Sequence, residues 1–177
     1  PSNTTITGGD FKSVQGCGSG SVVYCQAYMG NMEDNTLFIT GGTFEIEGED
    51  VDGIYIPYTK GPITIENATI KVNATSGKGT GIVRTVDAED ELALKVKNVT
   101  IENAGSSEDF SDILLYNYRT GPVDLEITED FTHKAVVGTF QMVDGLQVTT
   151  KTATHYQKDL KLVSADPNYI IDYQKDD

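Results

Sequence analysis

The residues of this chain that could do chemistry on a ligand are its acids and its tyrosines. Glu89-Asp90-Glu91 is the densest acidic run inside the patterned part of the sequence, and Glu47, Glu49, Asp50 and Asp52 form a looser group. Such acids could hold Ca²⁺ through several carboxylate and carbonyl oxygens. No spaced Asp-x-Asp-x-Asp-Gly loop is present, however, and both groups read first as solvated turns, so no cofactor is expected, with Ca²⁺ as the alternative. His133 and His155 have no clustered partners and read as surface residues. Gly18-Ser-Gly-Ser21 lacks the flanking pattern of a nucleophile elbow and the Lys of a phosphate-binding loop.

Charge narrows the partners. With 13 Lys and Arg against 27 Asp and Glu, the 177-residue chain carries a net −14. Neutralising phosphates takes clustered cations, so nucleic acid and anionic membrane surfaces are disfavoured partners. No apolar run approaches the ~18–20 residues of a membrane span, and no signal-like segment begins the chain. Its start at Pro1 fits a mature form or an excised piece.

The elements that must position any site are strands. Val, Ile, Thr, Tyr and Phe make up 65 of the 177 residues, and these side chains pack well on a pleated surface. No segment sustains a helical period, so the fold class is all-β. A repeat then organises the strands. Ile63-Thr-Ile-Glu-Asn-Ala-Thr-Ile70 matches Leu94-Lys-Val-Lys-Asn-Val-Thr-Ile101, and Leu37–Phe44 and Thr4–Phe11 fit the same frame. A weaker copy begins at Val123 and a degenerate one at Leu146. Asn67, Asn98, Gly8 and Gly41 share one slot. Gly and Asn tolerate a left-handed backbone, so the slot reads as a sharp corner between two strands. Such strands bury a face by stacking on their equivalents in the next unit.

A second repeated element, Asp52–Pro62, aligns without a gap to Asp112–Pro122, giving each unit a third strand after a variable loop (Val14–Ser21, Glu47–Asp52, Asn73–Thr80 and Asn103–Ser111). On this alignment Ile54, Ile56 and Tyr58 point inward together with Leu114, Tyr116 and Tyr118. The outward residues are Tyr24, Tyr55, Val83 and Leu115, then Gln26, Pro57, Thr85 and Asn117, then Tyr28, Thr59, Asp87 and Arg119. Arg84 falls on the inward side, where an unpaired charge is costly. Either a bulge or a one-residue shift in the alignment is implied.

The three-strand unit with its stacked Asn/Gly corner resembles the right-handed parallel β-helix proteins: pectate lyases, polygalacturonases, phage tailspikes and surface adhesins. The likeness covers residues 3 to 150 and implies about five coils, some 25 Å tall at ~4.8 Å per strand. Residues 1–150 are expected to form the β-helix and residues 151–177 an irregular cap or tail, in which Leu160, Leu162, Tyr169 and Ile171 could cover the last coil. The Asn-Thr-Asp and Gly-His-Gly signatures of polygalacturonases are absent.

Tyrosines with nearby amides and charges suit the apolar faces and hydroxyl edges of sugars. The expected function is therefore a non-catalytic, extracellular, cell-surface or virion module that binds a glycan or cell-surface polysaccharide. Its candidate substrate-binding residues are Tyr24, Tyr55, Thr85, Asp87, Asn117 and Arg119. Two alternatives stand beside it. One is a polysaccharide lyase or glycosidase using Asp52, Asp87 and Asp112 with Arg119; the other is a structural stalk or homotrimerisation segment. Cys17 and Cys25 either form a disulfide between loop and third strand or remain a free thiol and a small buried residue. Asn3, Asn67, Asn73 and Asn98 lie in Asn-x-Thr sequons, but at Asn67 and Asn98 the corner already explains the Asn.

Overall fold

A computed structural model describes residues 3–15, 19–26, 35–87, 92–118, 123–127, 135–139, 141–143, 146–148 and 162–164. Among them there is no helix. In chain order the strands are β1 (Asn3–Ile6), β2 (Asp10–Val14), β3 (Gly20–Tyr24), β4 (Thr36–Ile39), β5 (Gly42–Pro57) and β6 (Ile63–Glu66). These continue as β7 (Ala68–Val86), β8 (Leu92–Lys97), β9 (Thr100–Asn103), β10 (Asp109–Asn117) and β11 (Val123–Ile127). Last come β12 (Ala135–Thr139), β13 (Gln141–Val143), β14 (Leu146–Val148) and β15 (Leu162–Ser164).

Equivalent strands stack in parallel. One sheet has the order β1-β4-β6-β8-β11, and a second runs β15-β12-β10-β7-β5-β2, with β3 also on β5 and β9 on β7. The repeat frame sets the register residue by residue: Thr4 faces Leu37, Leu37 faces Ile63 and Ile63 faces Leu94. Beyond the corner Phe11 faces Phe44, Phe44 faces Ile70 and Ile70 faces Ile101. The alternation that makes these segments strands also lines the interior with Leu37, Ile39, Phe44, Ile63, Ile65, Ile70, Leu94 and Val96, each at most 2% exposed. On the outer side of the same stack Lys12, Glu45, Lys71 and Glu102 alternate in sign, with ion pairs of 2.6 Å (Lys12–Glu45) and 3.5 Å (Lys71–Glu102).

The predicted corner is present. Asn67 and Asn98 both adopt φ 53°, and Asn98 Nδ2 donates to Asn67 Oδ1 at 2.7 Å. In the glycine copies it falls on the slot residue Gly8 and the following Gly9, and on Gly42, one residue past the slot residue Gly41, since a residue without Cβ can distribute the turn over neighbouring positions.

Three expectations need correction. The chain builds a parallel β-solenoid of about three turns, not five. Among the described residues, those of β1–β3 include none that is buried, and those after Val123 form single strands and a hairpin. In that hairpin β14 pairs antiparallel with β13, so the segment at Leu146 is not another copy of the repeat. Finally, Glu47–Asp52 and Asn73–Thr80 are not loops but bends inside the continuous strands β5 and β7. Register shifts at Gly48/Glu49 and Glu49/Val51, with φ 47° at Asp50 and 70° at Gly77, turn the chain without breaking the ladder. The Asp50 carboxylate then accepts the Lys78 N–H at 2.8 Å, tying one bend to the next.

In the tail, β15 pairs in parallel with β12 through Leu162 opposite Ala135. Leu160, Tyr169 and Ile171 lie outside the described residues.

A tyrosine-lined face as the candidate functional site

The third strands of successive units, β3, the end of β5, the end of β7, and β10, carry the candidate face. Tyr24 faces Tyr55, Tyr55 faces Val83 and Val83 faces Leu114. The fourth unit therefore stands one residue away from the ungapped alignment, which had placed Leu115 in this column. Ile113, Leu115 and Asn117 point inward, each at 0% exposure, while Tyr118 is 49% exposed and Tyr116 half-buried. The string match Asp–Tyr–Gly-Pro gives way to packing: Ile113 and Leu115 fill the core and leave the Tyr116 and Tyr118 rings at the surface, where phenols keep their polar ends wet.

Arg84 stands where the alignment put it, inward, and the expected bulge or one-residue shift at this position is corrected. Its column is Ile56, Arg84 and Leu115, and its side chain is fully buried without a bulge. The guanidinium donates to the carbonyls of Thr59 (3.1 Å), Gly61 (2.8 Å) and Ala93, while Nε has no partner. Burial pushes its pKa down to about 9, a shift that the nearby Cys25 opposes. Arg84 thus bolts the turn that follows β5 to the start of β8.

Five tyrosines lie along this side, four of them in two ring pairs. Tyr24 and Tyr55 meet edge to face with ring centroids 5.4 Å apart, and Tyr116 and Tyr118 do so at 4.9 Å. Tyr58 joins them through a left-handed backbone, φ 56°, and its N–H bonds Thr85 O at 2.8 Å. Partial burial raises the Tyr55 phenol, and the neighbouring Tyr118, Tyr24, Asp52 and Tyr58 add to the effect. Burial, then Tyr58, raises Tyr118 likewise. Tyr24 donates its hydroxyl to Gln26 Oε1 at 2.5 Å.

Of the residues expected at this site, the structure brings Tyr24 and Tyr55 together at the surface. Thr85 lies in register with Pro57 and Tyr116 but is only 4% exposed. Asn117 is inside the solenoid, so its expected outward placement is corrected. Asp87 is half-buried and Arg119 lies outside the described residues. The residues missed were Tyr58, Tyr116 and Tyr118. For Tyr116 and Tyr118 the signal was available, since Ile113 and Leu115 compete better for the interior. A left-handed Tyr58 has no sequence signal, because Asn or Gly is the usual occupant of that conformation.

Asp112 is at 0% exposure, sealed from any polymer at the surface. Asp52 lies at the foot of the tyrosine patch, where burial raises its carboxyl to about 6 against a stabilising hydrogen bond with Thr80. Among the described residues no group of three His, Cys, Asp or Glu is placed to hold a metal. Glu89–Glu91, His133 and His155 lie outside those residues. Cys25 is a free, half-buried thiol against the core, and Cys17, its partner in the disulfide alternative, is likewise outside them.

No family model, curated protein or solved structure matches the chain significantly.

Proposed function

We propose that the protein is a non-catalytic glycan-binding module, displayed on a cell surface, a virion or outside the cell, and that its tyrosine patch is the binding surface. The observation that carries this reading is the presence of two tyrosine ring pairs, Tyr24–Tyr55 and Tyr116–Tyr118, with the left-handed Tyr58, along the third-strand side of the solenoid. Aromatic rings with hydroxyl edges match sugars, which offer apolar faces and hydroxyl rims. The left-handed Tyr58 adds a local strain of the kind that collects at ligand sites. The coil is taken as right-handed, because parallel crossovers take that hand in nearly all sheets. This is the architecture of the pectate-lyase-like, tailspike and adhesin β-helices that the sequence resembles.

A polysaccharide lyase or glycosidase needs cooperating charged groups at the surface, and the burial of Asp112 weighs against that alternative. Binding through rings and hydroxyls needs no metal or cofactor. The test is a glycan array followed by incubation of the binding polysaccharide with the protein. Binding without new reducing ends or unsaturated products is expected. Tyr118→Ala, at a half-exposed position, is expected to weaken it by about two- to twelvefold, from ~0.5–1.5 kcal/mol per aromatic contact. Cleavage products, or an array with no binding, would sink the proposal.

A further inference from the structure

We propose that the protein self-associates head to head. The edge formed by β1, β2 and β3 is covered by the same edge of a second copy, with the two β2 strands antiparallel and Phe11 opposite Phe11. Among the described residues β1 pairs only with β4, and β2 and β3 only with β5, so one side of each of these strands faces no neighbouring strand. Such an edge presents a row of backbone donors and acceptors that templates further pairing. It also carries apolar surface. Phe11 stands in an inner column with its ring stacked on Phe44 at 5.1 Å and 3°, yet it is 38% exposed, so its other face looks out from the end of the core.

Charge identifies the occupant as a second copy. Asp10 and Lys12 are the only charged residues of the three edge strands, and both are exposed. The outer column Glu102, Lys71, Glu45, Lys12 alternates in sign, so the place beyond Lys12 calls for an acid. Backbone phase restricts how that acid can arrive. Thr43 N–H donates to Gly9 O at 2.9 Å and Gln15 N–H donates to Glu47 O at 2.8 Å. By the two-residue period of a strand, Asp10, Lys12 and Val14 then turn their N–H and C=O groups to the free edge. In an antiparallel pair of β2 strands these residues bond to one another. Centring the pair on Asp10 or on Lys12 sets like charges opposite each other, and centring it on Ser13 leaves Asp10 and Lys12 without a charged partner. Centring it on Phe11 sets Asp10 against Lys12 twice, with the two Phe11 side chains at the closely spaced, non-hydrogen-bonded position. Lys12, 2.6 Å from Glu45 in its own chain, then lies between two acids and the sign alternation runs on across the axis. The same two-fold exchanges the strands on either side of β2, so β1 of each copy lies over β3 of the other. A contact of this kind uses the edge of both copies and leaves none for a third.

Sedimentation velocity of the full chain over a range of concentrations tests this, with Lys12→Asp and Asp10→Lys run alone and as an equal mixture. The wild type should move from the mass of one chain to that of two as concentration rises, and stop there. Lys12→Asp sets carboxylates against carboxylates and Asp10→Lys sets ammonium groups against each other, so each alone should weaken association about tenfold or more. The mixture restores both opposite-charge pairs and should associate as the wild type does. Raised salt should weaken the wild-type dimer too, which tests the charge pairing without any substitution. A monomer at every concentration, growth beyond the dimer, or an association indifferent to salt overturns the proposal. So does one that the single variants leave unmoved or that mixing does not restore.

Discussion

The Asn98 corner offers a perturbation whose size can be worked out from the structure. Asn98 sits at φ 53° and donates to Asn67 Oδ1 at 2.7 Å on the exposed edge of the stack. Alanine there must hold a left-handed conformation that costs an L-residue about 1–2 kcal/mol. It also loses a hydrogen bond worth about 0.5–1 kcal/mol at an exposed position. Asn98→Ala should therefore destabilise by about 1.5–3 kcal/mol. Asn98→Gly keeps the backbone free, loses the bond and gains about 0.4–1 kcal/mol of unfolded-state freedom, a total of about 1–2 kcal/mol. The expected order is wild type, then Gly, then Ala, with roughly 1 kcal/mol between the variants. In equilibrium urea unfolding with a slope near 2 kcal/mol per molar, Ala should lower the midpoint by about 1 M and Gly by about half to two-thirds of that. A double cycle with Asn67→Gly isolates the side-chain bond, which should appear as coupling of about 0.5–1 kcal/mol. If Ala is as stable as Gly or more so, the corner is not set by the left-handed requirement and the reasoning is wrong.

Two further outcomes follow from buried polar groups. Arg84→Met should lower stability by about 3 kcal/mol or more, because the Thr59, Gly61 and Ala93 carbonyls lose their donors; Arg84→Lys should not rescue it, since one ammonium cannot replace the planar fork. Thermal unfolding reads both, and an Arg84→Met protein as stable as the wild type would show that the bolt carries no net energy. Asp52 has a folded pKa raised to about 6 from an ordinary 3.8, so between those values the folded state holds the extra proton. Its contribution thus falls as pH rises from ~4 to ~6 and is flat above, a change on the order of 3 kcal/mol. The stability difference between wild type and Asp52→Asn, followed by urea unfolding from pH 4 to 7, should widen in the variant's favour as pH rises; a difference independent of pH contradicts the assignment.

How much was legible depended on whether a residue's neighbours came from its own pattern or from elsewhere. The columns headed by Leu37 and Phe44 were readable because apolar alternation and a shared Asn/Gly slot fix register together, and a one-residue slip would turn every side chain over. The fourth unit's third strand was misread by one. The string Asp112–Pro122 looks like Asp52–Pro62, yet Ile113 and Leu115 hold the core. Arg84 looked like an error of alignment on the reasonable ground that charges avoid interiors. Its acceptors, the carbonyls of residues 59, 61 and 93, belong to other segments, and no local pattern announces them. The bends at Asp50 and Gly77 were likewise hidden, because Gly- and acid-rich strings read as loops whether or not a neighbouring turn continues the ladder through them.

The register of the inner columns makes length itself a quantised property of this protein. Leu37, Ile63 and Leu94 occupy one column although 26 and 31 residues separate them, so what lies between is free to vary while the step along the axis does not. Gain or loss of residues inside a turn changes the girth at one level. Gain or loss of a whole turn, from one column position to the next, moves the two ends apart or together by a single rung and leaves every remaining pair matched.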